Sequence, residues 1–372
     1  MLSQKSRLDV VLGGQAGSEG KGKFAGYLAL KDDYDMAISN FMPNAGHTWV
    51  SDKGEKVLVQ QIPQSVVNKN TKLMISAGSA IEVDVLVNEL NKYNAWERTF
   101  IHPRAVIIEE KHRKREAEGL ERISSTLKGC GEALADKVRR KEGTKLAGDL
   151  EPDHILFDLV CSQQDFEDKI HHSIDLEEKI MVECPQGYDL DINHGLEYPY
   201  CTSRQTITSQ ALADAGMPPQ LIGEVIAVIR PYPIRVGDAY NDDGVKVGTS
   251  GTYLDSKEIS WDIVAERSGT PRDKIKELTT VTKKVRRVFE PNYNRLRQMV
   301  RTNGVTQIAL NFANYIDYEV YGVNKKEDIT QKVWDFIDRM ERELGVPVTL
   351  IGTGEKNSHI VDLRTQPYYP NK

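Results

Sequence analysis

Cysteine is scarce in this chain. Four residues, Cys130, Cys161, Cys184 and Cys201, stand without any Cys-x-x-Cys spacing. No paired-thiol motif is available, and they fit buried thiols in a reducing compartment, with a disulfide as the minor alternative. A basic excess is also missing: formal net charge is −6, so there is no global positive field of the kind that binds nucleic acid. No apolar run approaches the roughly 18 residues of a membrane span. The first residues, MLSQKSRLDVVLGG, contain no apolar stretch of signal-peptide length. Internal repeats, low-complexity segments and an obvious interdomain linker are absent too. With 39% hydrophobic and 28% charged residues, the remaining class is an ordinary globular α/β enzyme or binding protein of the cytoplasm. The 372 residues suffice for two or three average domains or one large elaborated one; we read residues 1–372 as a single unit with elaborated loops.

What is present is a recurrence of β-branched apolar runs between charged helical stretches: LDVVLGG, DMAISNF, KLMISAGS, RAVIIEE, EKIMVECPQG, EVIAVIRPYPIRVG, TQIALNFANYID and VPVTLIGTG. Several end in Gly, Asn or Pro and read as strands that deliver a loop. Spacers such as EVDVLVNELNKYN and DITQKVWDFIDRMEREL have helical periodicity. The alternation predicts a mostly parallel central sheet flanked by helices. Ligands of such sheets sit outside the carboxyl ends of the strands. The charged stretch EEKHRKREAEGLERISST reads as a solvated helix and its exit.

Two of these loops carry chemistry. GGQAGSEGKGK, residues 13–23, joins the first strand to a helix read as FAGYLALK. Its glycines permit positive φ and close backbone approach, the helix N-terminus offers N–H groups, and Lys21 and Lys23 add charge, all of which suits a phosphate. The spacing fits neither G-x-x-x-x-G-K-[ST] nor G-x-G-x-x-G; the alternative is a structural turn. PNAGHTWV, residues 43–50, follows the next strand. A histidine taken alone is more often structural, but after Asn44 and Gly46 at a strand end, His47 suits general acid or base work. His171 and His172, in a polar helical stretch, do not.

GSEGKGK followed by NAGHT resembles the adenylosuccinate synthetase family, whose usual pattern is GDEGKGK and NAGHT. The similarity continues through STLKGCG (125–131), DKVRRKEGTKLAGDL (136–150), CPQGYDLDINHGLEYPYCTS (184–203), IRVG (234–237), TVTKKVRR (280–287) and IGTGEK (351–356). The resemblance implies a P-loop-NTPase-like fold and a Mg²⁺-dependent ligase. A nucleoside triphosphate phosphorylates the 6-oxygen of a purine nucleotide, and L-aspartate then displaces the phosphate. It implies that Gly20, Lys21, Gly22 and Lys23 cradle the triphosphate, with Gly46, His47, Thr48, Arg286, Asn314, Gly352, Thr353 and Gly354 also on the donor side. His47 would be the acid at the transferring phosphoryl group, beside Lys21 and Ser18 in the catalytic set. Mg²⁺ would sit at the Gly46 backbone and Ser18. Ser18, Asn44, Ala45, Thr126, Gln186 and Thr202 would contact the acceptor nucleotide. One of Arg139 and Arg140, with Arg140 favoured, would reach its 5′-phosphate across a homodimer interface. Val281, Thr282, Lys284 and Arg286 would hold aspartate, a bidentate guanidinium suiting its carboxylates; Lys284 stands where the family has arginine.

Two further departures from the family pattern matter more than the matches. At Ser18 the family has aspartate, the base for N1–H of inosine monophosphate and a ligand of Mg²⁺. A serine is a far weaker base without charge, which fits an inactive relative or one using another base. It also makes room along the N1/C2 edge of the purine, where guanine carries an amino group. At Asn314 the family has an aspartate that accepts from guanine; asparagine offers a donor and an acceptor, which pair with adenine. Together these resemble the viral branch of the family that makes N6-succino-2-amino-2′-deoxyadenylate from dGMP and L-aspartate with ATP or dATP. Deoxy over ribo rests on that branch alone. The alternatives are an ordinary enzyme of the family using IMP and GTP, and a catalytically silent nucleotide-binding regulator.

Overall fold

The run Leu8–Gly13 is buried along its whole length, as a strand covered on both faces by helices must be. In the computed structural model, which describes residues 8–119, 121–240, 243–278 and 285–364, that strand (β1) is the middle of a nine-stranded sheet. The others are β2 (Met36–Ser39), β3 (Lys72–Ile75), β4 (Thr99–Ile101), β5 (Ile180–Glu183), β6 (Ile222–Ile229), β7 (Gln307–Leu310), β8 (Val348–Gly352) and β9 (Ile360–Asp362). Their order is β9-β8-β7-β6-β1-β5-β2-β3-β4. Every neighbouring pair is parallel except the antiparallel edge β8–β9. From β1 the chain first builds one flank, then returns beside β1 as β5 and builds the other from β6 onward. The strand order reverses at β1, so the loop leaving it lies at the point where such sheets bind ligands.

Alternation along β1 serves two cores. Leu8, Val10 and Leu12 face a cluster that includes Phe166 and Ile170, Leu296 and Met299, and Val333, Ile337 and Met340. These come from helices Gln163–Asp175, Tyr293–Asn303 and Gln331–Leu344. Val11 faces the other way, against Phe24, Ala25 and Leu28 of helix α1 (Lys21–Lys31). The four cysteines are free. Among the described residues no helix is long and apolar enough to cross a membrane.

Several expectations needed adjusting. RAVIIEE is not a strand of the main sheet: Val106–Ile107 pairs with Ala80–Ile81 and, at Val106, with Leu146, and the short Thr99–Ile101 forms the edge instead. The helix read as FAGYLALK starts three residues earlier, at Lys21, because Gly20 makes the left-handed turn that begins it. The stretch EVIAVIRPYPIRVG breaks at its prolines. Ile234–Arg235 then leaves the main sheet for a three-stranded antiparallel one with Arg287–Phe289 and Glu258–Ile259. His171 and His172 lie exposed on their helix.

Candidate nucleotide-binding active site

The loop after β1 is held by one buried carboxylate that sequence reasoning passed over. Glu19 accepts the Gln15 and Gly17 backbone N–H groups through Oε1 at 3.1 and 2.7 Å and pairs with Lys21 through Oε2 at 3.1 Å. Lys21 Nζ also donates to the carbonyl of Gln186, just beyond β5. Gly20, at φ 88°, gives α1 no side-chain cap; the Lys23 N–H turns back to the Gly20 carbonyl at 3.0 Å, and the positive end of the helix dipole still faces the loop and suits an anion. A Cβ on Gly20 would collide with Asn311 Nδ2, which donates to the Glu19 carbonyl at 2.9 Å. A Cβ on Gly22 would come within 2.7 Å of the Thr48 backbone nitrogen; glycine there lets the next loop close onto the helix. Between these fixed points Ser18 is exposed, in left-handed conformation at φ 58°.

That next loop leads into a hairpin, His47–Val50 against Lys56–Val59, with Gly46 and Thr48 exposed. His47 is buried and stacks on Phe41, ring centroids 4.1 Å apart and 7° from parallel. Burial, then the charge of Lys21, push its pKa down to about 3, so it is neutral until negative charge arrives beside it. Asn44 Oδ1 and Gln186 Oε1, both from the expected acceptor set, are buried without a protein partner, as are both amide atoms of Gln64. Buried polar atoms of this kind call for ligand or solvent groups. The hairpin is stapled to the loop after β8: Trp49 Nε1 donates to Asn357 Oδ1 and Asn357 N to the Val50 carbonyl, both at 2.8 Å, and Ser358 N donates to Asp52 Oδ1 at 2.6 Å.

Beside the hairpin opens a cavity of about 580 Å³ lined by Gly20, Lys23, Thr48, Phe312, Asn314, Tyr315, Tyr318 and Gly354, among others. Such a volume suits a nucleotide. Asn314 lies on a short turn, Ala313–Tyr315, that follows β7. Lys23 Nζ donates to the Gly354 and His359 carbonyls at 2.7 and 2.8 Å. Burial lowers its pKa to about 7, against a smaller opposing effect of Glu355. Gly352 ends β8. The Thr353 hydroxyl turns inward to the Val323 carbonyl at 2.6 Å, leaving Gly354 as the member of that trio on the cavity wall.

The expected acceptor contacts approach from the other flank. Ala45 is half-buried and Thr126 exposed in the turn before the helix Cys130–Arg139. Arg139 and Arg140 project into solvent at that helix's C-terminus. Thr202 is fixed by its N–H to the Leu190 carbonyl at 2.7 Å. Of the expected aspartate site, Arg286 lies 4.0 Å from Glu277, and Val281, Thr282 and Lys284 lie outside the described residues. Besides Glu19, Gln64 and Asn311, sequence reasoning missed Arg230, whose guanidinium is buried, paired with Glu277 and 4.3 Å from the Phe312 ring centroid. Its only sequence signal was a position just past a strand end, in IRPYP.

An uncapped helix N-terminus behind a glycine loop, two buried lysines and an aromatic-walled cavity, all at the carboxyl ends of a parallel sheet, define a protein that handles a nucleoside triphosphate. The chain belongs to the adenylosuccinate synthetase family, whose model matches residues 10–157 and 154–320, and is a carbon–nitrogen ligase. It is 35% identical to the adenylosuccinate synthetase of Methanocaldococcus jannaschii over 96% of this chain and 97% of that one. It is 36% identical to the N6-succino-2-amino-2′-deoxyadenylate synthase of Vibrio phage phiVC8, over 83% and 86%. Among solved structures it is similar to the cyanophage S-2L succinoaminodeoxyadenylate synthetase bound to dGMP and dATP, with TM-score 0.80 and 30% identity over 96% of this chain and 95% of that one. The fold is shared with fully ligated adenylosuccinate synthetase of Plasmodium falciparum, TM-score 0.80 at 20% identity, over 95% and 99%.

Proposed function

We propose that this enzyme joins dGMP to L-aspartate at the expense of ATP or dATP, releasing ADP or dADP and phosphate and forming N6-succino-2-amino-2′-deoxyadenylate. Overall identity does not choose between the two activities of its relatives, at 35% and 36%. The observation that carries the reading is Ser18: a small neutral side chain, exposed on a loop that Glu19, Gln15 and Arg230 hold in place. A serine is smaller than the family's aspartate and carries no charge, which favours an acceptor purine that bears a 2-amino group. The cyanophage protein's bound dGMP and dATP support both the acceptor and the donor assignment. Asn314 at the cavity wall offers the donor–acceptor pair that adenine needs.

The first step moves the γ-phosphoryl group of the donor to the purine 6-oxygen. The α1 N-terminus, Lys21 and Lys23 position and neutralise it, the main demand of phosphoryl transfer. His47, neutral when free, gains a proton as the phosphates raise its pKa and donates toward the transferring group. In the second step the aspartate amine attacks C6 and phosphate leaves, with Arg286 holding a substrate carboxylate. Among the described residues no three His, Cys, Asp or Glu side chains converge as a metal cage. Mg²⁺ takes few protein ligands and keeps phosphate oxygens, so the exposed Gly46 backbone and Ser18 hydroxyl fit an ion that arrives on the triphosphate. An ion held there would supply charge neutralisation to the triphosphate. The exposed Arg139 and Arg140 fit the trans contact of a homodimer, with Arg140 at the partner's acceptor phosphate, and a cytoplasmic enzyme would have these nucleotides at hand.

The test is phosphate release with L-aspartate and Mg²⁺, pairing dGMP or IMP with ATP or GTP, and mass analysis of the product. Turnover with dGMP and ATP is expected. Turnover with IMP and GTP instead would make Ser18 and Asn314 tolerated substitutions, and triphosphate binding without turnover would leave a regulator.

A further inference from the structure

Several residues of the site hold a left-handed backbone without being glycine, and two of them, Ser18 at φ 58° and Phe312 at φ 59°, flank the donor cavity and its loop. Such conformations persist only where the surroundings over-determine them, and a bulky aromatic rarely adopts one. A single side chain touches both. Arg230 donates through Nη1 to the Ser18 carbonyl at 3.1 Å and lies over the Phe312 ring, 4.3 Å from its centroid. Its backbone is clamped by Gln15, with Arg230 N to Gln15 Oε1 at 2.9 Å and Gln15 Nε2 to the Arg230 carbonyl at 3.1 Å.

The same guanidinium forms a two-armed ion pair with Glu277, and the Glu277 carbonyl accepts the Arg286 backbone N–H at 2.9 Å. Burial opposes ionisation of Glu277, yet Arg230 and Arg286 together hold its carboxyl below the usual range. A desolvated charge pair replaced by apolar side chains would often serve stability as well or better, and Arg230 Nε is left buried without a partner. This arrangement is therefore poorly explained as mere core packing. What it accomplishes is mechanical: one rigid planar group fixes the loop on the acceptor side to the aromatic wall of the donor cavity.

We propose that Arg230 is a positioning residue that couples occupancy of the donor cavity to the conformation of the acceptor loop at Ser18. A base entering against Phe312 and its turn shifts the ring under the guanidinium, and the hydrogen bond to Ser18 transmits the shift. The inference rests on the assignment of two nucleotide sites, not on which purines fill them.

The measurement is the dissociation constant of the triphosphate by isothermal titration, with and without saturating acceptor. The pair used, dGMP with ATP or IMP with GTP, is the one that turns over, so a wrong substrate assignment shows in that assay and not here. In the unaltered enzyme the acceptor is expected to change triphosphate affinity by about 5-fold or more, the usual scale of coupling between sites, with the reciprocal effect on the acceptor. Arg230→Lys keeps the charge but loses the planar fork; Phe312→Leu removes the ring and leaves the ion pair with Glu277. Both should bring the coupling factor below about twofold while each nucleotide alone still binds. A merely structural arginine would lower the melting temperature and leave the factor unchanged. Should Arg230→Lys fail to fold, Phe312→Leu decides. Coupling retained in Phe312→Leu, or absent from the unaltered enzyme, would overturn the proposal.

Discussion

Lys23 offers a sharp test because its protonation is set by burial. Its pKa of about 7, against 10.5 for an ordinary lysine, means that the folded protein binds fewer protons than the unfolded chain from pH 7 to 10.5. A lowered pKa on a basic group is a cost that is complete below the folded value and fades as pH rises toward the unfolded one. Between pH 7 and pH 9 this group alone should raise folding stability by about 2 kcal/mol. Lys23→Met keeps the apolar stem and removes the titration. It strands the Gly354 and His359 carbonyls, but that penalty does not vary with pH. Urea denaturation of both proteins without nucleotide, at pH 7, 8 and 9, gives the difference in slope. The same residue predicts that triphosphate binding takes up a proton, since the phosphates raise the lysine's pKa again. Relative to Lys23→Met, uptake should be about half a proton at pH 7 and near one at pH 8, measured by titration calorimetry in buffers of different ionisation enthalpy. A histidine near its ordinary pKa would show the opposite trend. Parallel stability–pH curves for the two proteins would refute the reasoning.

Ser18→Asp should lower kcat/KM for dGMP by about tenfold or more, through crowding and the loss of a neutral acceptor, and raise it for IMP; steady-state phosphate release with each acceptor reads both. Asn314→Asp should move donor preference from ATP toward GTP by about 10- to 100-fold, seen as the ratio of kcat/KM values. Gly20→Ala forces an alanine to φ 88° and into Asn311. The left-handed conformation costs about 1–2 kcal/mol and the displaced Asn311 amide about 1–3 kcal/mol more, so thermal unfolding should shift down markedly and triphosphate binding should be lost.

The parts of this molecule legible in its sequence are those governed by local rules. Strand β1 and its glycine loop were readable because burial on both faces demands a nearly continuous apolar run, broken here only by Asp9, and a tight phosphate turn demands glycine. The amphipathic helix Gln331–Leu344 was readable from its period. The edge strand Thr99–Ile101 was not: three residues carry too little pattern, whereas the longer apolar RAVIIEE looked more strand-like and pairs elsewhere. Glu19 and Arg230 were illegible for a different reason. A charged residue in a loop reads as solvated until the fold reveals that each is buried, Glu19 among the N–H groups of its own loop and Lys21 and Arg230 among partners distant in the chain. Asn311 was hidden beside Asn314 in one motif, although only the fold shows that its amide sits against Gly20.

The ties that close the site span most of the chain: Lys23 is joined to carbonyls 331 and 336 positions later, and Asn311 to Glu19 across 292. During translation, then, the glycine loop is made long before β7 and β8, and these ties to it can form only once the strands of the last flank have been made. A nascent chain that carries only β1 to β5 lacks the carbonyls of Gly354 and His359 and the amide of Asn311, whatever else it has formed. Nucleotide binding is thus a property that arrives late and whole, and an interrupted synthesis yields a product without a half-working site.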